Sequence, residues 1–284
     1  KQAFAVVIPE VRRFREEQRA RRKAAKKRAE KQREAHEQKT IKDDAVDTHR
    51  RNFGNLRPGI TPRVGMVTGY RSMSLQTDAD FQLDHSTPLF GFAGSLAGII
   101  AVFNAEKHAV GGEFFGRYSG FRTQFAGRQP PMEVRGWYMH LGGNLKYLVG
   151  LSPRIIVYGK GGLEHVGLNL EENDRYTGNR YLNGILGLGL IYKFGELADL
   201  DLSFAGLPLF SAKVSGDEMG PANFGMGLAG QLGLDFRFLD PVAVTLAYRL
   251  NVYPATFPTP NVIDEPASTS DFVHSATILA GYRF

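Results

Sequence analysis

The sequence predicts an all-β chain: an antiparallel, up-and-down transmembrane β-barrel of about ten strands, with eight as the alternative count, preceded by a basic α-helical arm. Three observations predict it. From Ile60 onward, segments of ten or more residues alternate apolar with polar side chains, which is the period of a strand. Short turns and longer polar loops join these segments by turns, as in a meander closed on itself. Aromatic residues finish the strands at the short-turn end, namely Phe103, Tyr147, Tyr192, Phe194, Phe236, Phe238, Tyr282 and Phe284. An interfacial girdle would sit there, whereas a soluble sandwich would have to hide them.

Composition excludes several classes and leaves this one open. The 284 residues contain no Cys, so there is no disulfide framework and no thiol chemistry. No run of about 18 apolar residues exists; Leu89 to Phe103 comes nearest and is too short and too rich in Gly for a spanning helix. Low hydropathy does not argue against a barrel, because half of each strand faces the interior. Ala3 to Ile8 is too brief for a secretory signal core, so the signal of an exported protein would lie outside this numbering.

The first element is the arm. Between Val11 and Lys42 there are fourteen Lys or Arg against five Glu, a net of +9, while the whole chain is only +6. The rest of the protein therefore sums to about −3, and the basic character belongs to the arm. Arg, Lys, Glu, Gln and Ala are good helix formers, and no Gly or Pro interrupts Val11 to Asn52. A helix of about 30 residues would reach about 45 Å. Large apolar side chains such as Phe14 and Ile41 are too few for a coiled-coil seam. Arg12, Arg13, Arg15, Arg19, Arg21, Arg22, Lys23, Lys26, Lys27 and Arg28 are the candidate contacts to an anionic partner, against the alternative of a merely solvated helix or tail. No zinc-finger spacing, helix-turn-helix pattern or basic-aromatic sheet motif accompanies them, so nucleic acid is not the expected partner. Acidic and basic residues from Asp43 to Arg51, then Gly54, Pro58 and Gly59, read as a linker. The domains are thus 1–58 for the arm and linker and 59–284 for the barrel.

The strands follow in order. They are expected near Pro62 to Met73, Leu89 to Phe103, His108 to Phe121, Val134 to Leu148, Arg154 to Leu170, Tyr181 to Phe194, Asp199 to Phe210, Phe224 to Phe238, Val242 to Tyr253 and Asp271 to Phe284. The second and seventh alternate least clearly. Long loops are expected at Gln76 to Ser86, around Gln129-Pro130-Pro131, at Glu171 to Arg180, before Phe224, and at Pro254 to Ser270.

In the last strand, Phe284, Tyr282, Ala280, Ile278 and Ala276 share one face, and Arg283, Gly281, Leu279, Thr277 and Ser275 the other. A free terminal aromatic on a soluble edge strand would invite aggregation. The closing Gly281-Tyr282-Arg283-Phe284 resembles the C-terminal signal of bacterial outer-membrane β-barrels. That resemblance implies an outer-membrane location, outer-membrane lipid and lipopolysaccharide around the barrel, and recognition of Tyr282 and Phe284 by the barrel-insertion machinery. It also implies that the short turns, both chain ends and hence the arm lie on the periplasmic side.

Strand parity assigns Arg71, Glu113, Arg117, Lys160, Glu164, Asp235, Arg237 and Arg249 to the interior, with Lys146, Lys193, Asp201 and Arg283. Mixed signs at close quarters predict paired charges bridging a polar, largely filled lumen rather than an open pore. Ten-stranded proteases of the omptin type carry acidic pairs and a His at the outer rim. Here the rim offers Asp78-x-Asp80, Asp84-His85, Glu164-His165 and Asp271 with His274; the Asp-x-Asp spacing is similar to that family's pattern, but no Asp-x-His partner accompanies it, and Asp271 and His274 are three apart. No HExxH motif, His cluster or phosphate loop appears, so neither catalytic residues nor cofactor or metal ligands are expected. The resulting expectation is a non-enzymatic barrel that anchors or organises an envelope assembly. Its arm would contact an envelope protein or anionic cell-wall polymer, with a narrow channel as the alternative and a surface protease or adhesin behind it.

Overall fold

A computed structural model describes residues 56, 58–77, 82–104, 107–125, 132–171, 178–214, 225–239, 241–257 and 267–284, with sixteen residues between 14 and 39. The chain divides into two compact units, Lys1–Arg51 and Asn52–Phe284. In the first unit every described residue is helical and exposed, as a charged sequence without an apolar stripe dictates.

The second unit contains β1 (Gly59–Thr77), β2 (Gln82–Phe103), β3 (His108–Phe125), β4 (Met132–Gly150), β5 (Ile155–Leu170), β6 (Gly178–Phe194), β7 (Ala198–Val214), β8 (Met226–Leu239), β9 (Val242–Phe257) and β10 (Ala267–Tyr282). Each strand pairs antiparallel with its sequence neighbour, and β1 pairs with β10, so the sheet closes into a ten-stranded barrel with no free edge. The ladder continues past β10, where Phe284 N–H donates to the Ile60 carbonyl at 3.0 Å.

Local chemistry sets the short turns. Asn104 accepts a positive φ of 52° between β2 and β3, and Gly195 one of 69° between β6 and β7. Ser152 Oγ accepts the backbone N–H groups of Arg154 and Ile155 between β4 and β5. At the opposite end several strands run beyond the expected limits. Thr77, Gln82, Phe257 and Ala267 are all in the ladder, so parts of the segments expected as loops are strand.

The weak alternation of β2 and β7 has a structural cause. Register shifts fall at Ile99/Ala101 in the β2–β3 ladder and at Leu182/Asn183 in the β6–β7 ladder. A bulge moves later side chains to the other parity. In β2 the exposed large apolar residues are Phe90, Phe92 and Leu96 before the shift, Ile100 at it and Phe103 after it.

Large apolar side chains cover the outer face, including Val64 (71% exposed), Phe92 (72%), Phe114 (71%) and Leu188 (73%). In water such a band would drive aggregation, whereas in a bilayer it is the required lipid contact. At the short-turn end Phe103, Tyr147 and His108 form one ring cluster, Tyr192 packs on Phe194, and Tyr282 on Phe284. No helix among the described residues is long and apolar enough to cross a membrane.

Candidate functional site

The interior is filled in layers. Nearest the short turns, Leu56 projects into the barrel just before β1 and is 2% exposed, packed with Ala109, Leu148, Ile156 and Tyr158. This is a plug of apolar side chains across the mouth from which β1 starts.

Above it lies a charged layer. Lys146 Nζ donates to Glu113 Oε2 at 3.0 Å, and Arg63 Nη2 to Asp235 Oδ2 at 3.1 Å. Arg237 pairs with Asp199, and Thr245 donates its hydroxyl to Asp235. Tyr158 O–H donates to Asp201 at 2.6 Å, and Lys160 to Ser203 Oγ at 2.9 Å. Gly189 makes this layer possible, because a Cβ there would lie 2.2 Å from the Tyr158 ring. The Gly-rich run Gly184 to Gly189 is strand that admits an aromatic from the neighbouring strand.

The middle layer centres on Glu164, 1% exposed. Its carboxylate accepts hydrogen bonds from Arg249 at 2.6 Å, Tyr253 O–H at 3.0 Å, His140 Nε2–H at 3.1 Å and Asn183 at 3.4 Å. The His140 proton is therefore on Nε2, since an ionised carboxylate only accepts. Arg249 lies over the Phe115 ring at 4.9 Å, and Phe115 in turn occupies the space that a Cβ on Gly142 would need. Arg117 crosses from β3 to donate to Ser275 Oγ on β10 at 2.8 Å.

Toward the long-loop end Arg71 is wholly buried and Asp271 is 1% exposed. Arg71 donates to Asp271 Oδ2 through Nε at 3.1 Å and Nη2 at 2.6 Å, and Asn179 Nδ2 adds a third bond at 2.8 Å. Around them Met73, Leu89, Val134, Leu168, Leu207 and Val273 form a buried apolar layer.

Of the twelve interior charges named from parity, Arg71, Glu113, Arg117, Lys146, Lys160, Glu164, Asp201, Asp235, Arg237 and Arg249 lie in these layers. The interior is not polar throughout, however. The expectation of a polar plug fails in the outer layer, where burial penalises every unmatched polar group and favours apolar filling. Arg283 also departs from expectation: it is exposed at the end of β10. The sequence reading passed over His140, Tyr158, Asn179, Asp199, Tyr253 and Arg63 as network members. Parity carried the signal for them; their partners, up to 172 residues away in the case of Arg63 and Asp235, did not show in it.

The protease-like pairs do not assemble among the described residues. Glu164 is interior, whereas its neighbour His165 alternates to the lipid face. Asp271 is buried against Arg71, whereas His274 sits among the outward-facing rings of Tyr70 and Tyr248. Asp84 is exposed; Asp78, Asp80 and the His85 side chain lie outside the described residues. No group of three His, Asp or Glu suited to a metal occurs among the described residues.

On the outer face toward the long-loop end, Arg122, Arg135, Arg180 and Lys213 are exposed on β3, β4, β6 and β7. Arg122 stands directly opposite Arg135, and Arg180 opposite Lys213. Glu133 lies 3.4 Å from Arg122, and Arg180 bonds Asn169 Oδ1. Of the arm residues, Arg21, Lys23, Lys26, Lys27 and Arg28 are helical and exposed; Arg12, Arg13, Arg15, Arg19 and Arg22 lie outside the described residues. Tyr282 and Phe284 are 48% and 76% exposed at the short-turn rim.

Comparison with known proteins supports this geometry. The barrel matches the outer membrane protease OmpT from Escherichia coli with a TM-score of 0.50 at 12% identity, covering 81% of this chain and 99% of that one. OprG from Pseudomonas aeruginosa gives 0.42 at 13% identity over 81% and 98%, and the NalP translocator domain from Neisseria meningitidis 0.42 at 16% over 88% and 96%. At 12% identity the likeness to OmpT shows the fold alone. No curated protein matches the sequence. Residues 59–230 match the family model of the outer membrane protein beta-barrel domain. With ten strands closed on one another, a lipid-facing exterior and this match, the chain belongs to the outer membrane protein β-barrel family of the bacterial outer membrane.

Proposed function

We propose that the protein is a closed, non-enzymatic barrel that anchors an envelope assembly, with its basic arm contacting an anionic partner on the periplasmic side. The observation that carries this reading is the filled lumen. The Leu56 plug, two layers of bridging hydrogen bonds and ion pairs, and the apolar layer around Arg71 and Asp271 follow one another along the axis. Such an interior favours rigidity over conduction, which leaves the exterior and the arm as the working surfaces. The side of the arm follows from the family's topology, in which short turns face the periplasm. β1 starts at that end, so the chain before it begins there too.

The partner of the arm is an envelope protein or a cell-wall polymer carrying negative charge. Long-range attraction from a +9 segment would act within about 8 Å of its surface at physiological salt. Deleting residues 1–42 should leave a heat-modifiable barrel and remove the captured partner at low salt. Recovery of the same envelope proteins with and without the arm would refute this reading.

Two further contacts accompany it. The outer basic rim suits the phosphates of lipopolysaccharide, since cross-strand pairs of like charge are unfavourable until an anion lies between them. Tyr282 and Phe284, exposed on the last strand, are the contacts for the insertion machinery.

A further inference from the structure

The middle layer of the lumen carries one positive charge that its own side chains do not balance. Arg63, Arg71, Lys146, Arg237 and Arg249 each lie against a carboxylate. Lys160 bonds Ser203, and Asp201 occupies the next inward position on β7. Arg117 likewise bonds only a neutral hydroxyl, that of Ser275, and no carboxylate pairs with it among the described residues; the carboxylate of its own layer, Glu164, is taken by Arg249. The neighbouring guanidinium of Arg249, stacked on Phe115 two residues from Arg117, adds repulsion. Arg117 is half-buried, and a guanidinium held inside the barrel beside a second one, with no carboxylate against it, favours an anion next to it.

Further donors flank the same span. Tyr138 is 3% exposed and its hydroxyl has no hydrogen-bond partner in the protein. It lies diagonally beside Arg117 on the inner face, since Arg117 faces His140 and Ser119 faces Tyr138 in the β3–β4 ladder. Asn251 is 1% exposed; its Oδ1 accepts from Arg249, while its Nδ2 has no partner. Asn251 lies diagonally beside Ser275, where the Arg117 side chain ends, because Val273 faces Asn251 and Ser275 faces Arg249. Donors without acceptors therefore stand at both ends of the one unbalanced cation.

We propose that the lumen binds a small monovalent inorganic anion, of halide type, at Arg117, with the Asn251 amide and the Tyr138 hydroxyl as further donors. One negative charge matches the single excess positive charge and supplies the acceptor these groups lack. His140 is not part of the site. Its Nε2–H goes to Glu164, so a neutral ring presents only a lone pair at the unpartnered Nδ1, which suits a donor. The site lies between the Leu56 plug and the outer apolar layer.

The test is to refold the full chain from urea into detergent with sodium bromide as the only halide, crystallise it, and record anomalous scattering at the bromine edge. One interior peak within hydrogen-bonding distance of Arg117 is expected. Ordered water without anomalous signal at that position would overturn the proposal. Arg117→Met should refold, because it strands no carboxylate, and should lose the peak; a peak kept in that variant overturns the role given to Arg117. If the variant does not refold, the wild-type bromide map decides alone.

Discussion

Arg71→Met tests whether the lumen is sealed. Asp271 would keep only the Asn179 bond and lose both bonds from the guanidinium. Removing one partner of a buried pair leaves an unmatched charge, at a cost of about 3–5 kcal/mol. Asp271→Leu should cost a similar amount by taking the carboxylate away from Arg71, which is itself wholly buried. The double variant Arg71→Met with Asp271→Leu removes both charges, and the surrounding apolar layer accepts the replacements. Its residual cost includes the Asn179 carbonyl left without Arg71, about 1–3 kcal/mol. The double variant should therefore be more stable than either single variant. Equilibrium urea unfolding in lipid vesicles measures this, with the single Trp137, 40% exposed on the lipid face, as the reporter. In a water-filled pore the pair would behave as an exposed one, worth about 0–1 kcal/mol. Single variants that lose less than that, and a double variant that loses the sum, would refute the sealed lumen and with it the basis for the anchor reading.

Three other outcomes follow from the same structure. Leu56→Ala should destabilise the barrel by about 2–5 kcal/mol by opening a cavity in the plug; unchanged urea midpoints would mean that Leu56 does not seal the mouth. Replacing Tyr282 and Phe284 together with Ala should lower the assembled fraction in cells far more than the refolding yield in detergent, because both side chains are largely exposed; equal losses in the two assays would assign them a purely structural part. Changing Arg122, Arg135, Arg180 and Lys213 to Gln should weaken lipopolysaccharide binding in a salt-sensitive way while leaving the urea midpoint unchanged or raised, since two like-charge cross-strand pairs disappear. Unaltered lipopolysaccharide binding in this variant would remove the rim from the proposal.

The sequence by itself determined the barrel. A period of two is a local property: Phe114 and Phe115 fall on opposite faces wherever the strand sits, and only a lipid exterior explains ten such strands ending in aromatics. For the same reason parity placed Arg71, Glu164 and Arg249 inside. Where a bulge broke the period, in β2 and β7, the reading weakened and the ladder had to supply the reason. Tertiary structure alone decided who meets whom. Closure brings β1 against β10, and with it Arg71 to Asp271 across 200 residues of chain, a pairing that depends on strand count and register together. Asp271 and His274 are rim candidates in the sequence, three residues apart; that separation puts them on opposite faces, one buried in the lumen and the other among lipid-facing rings. Likewise Leu56 reads as part of a linker and Arg117 as one charge among many. Only the closed barrel makes the first a plug and leaves the second without a counter-charge, because burial and pairing are properties of the interior and not of any one strand.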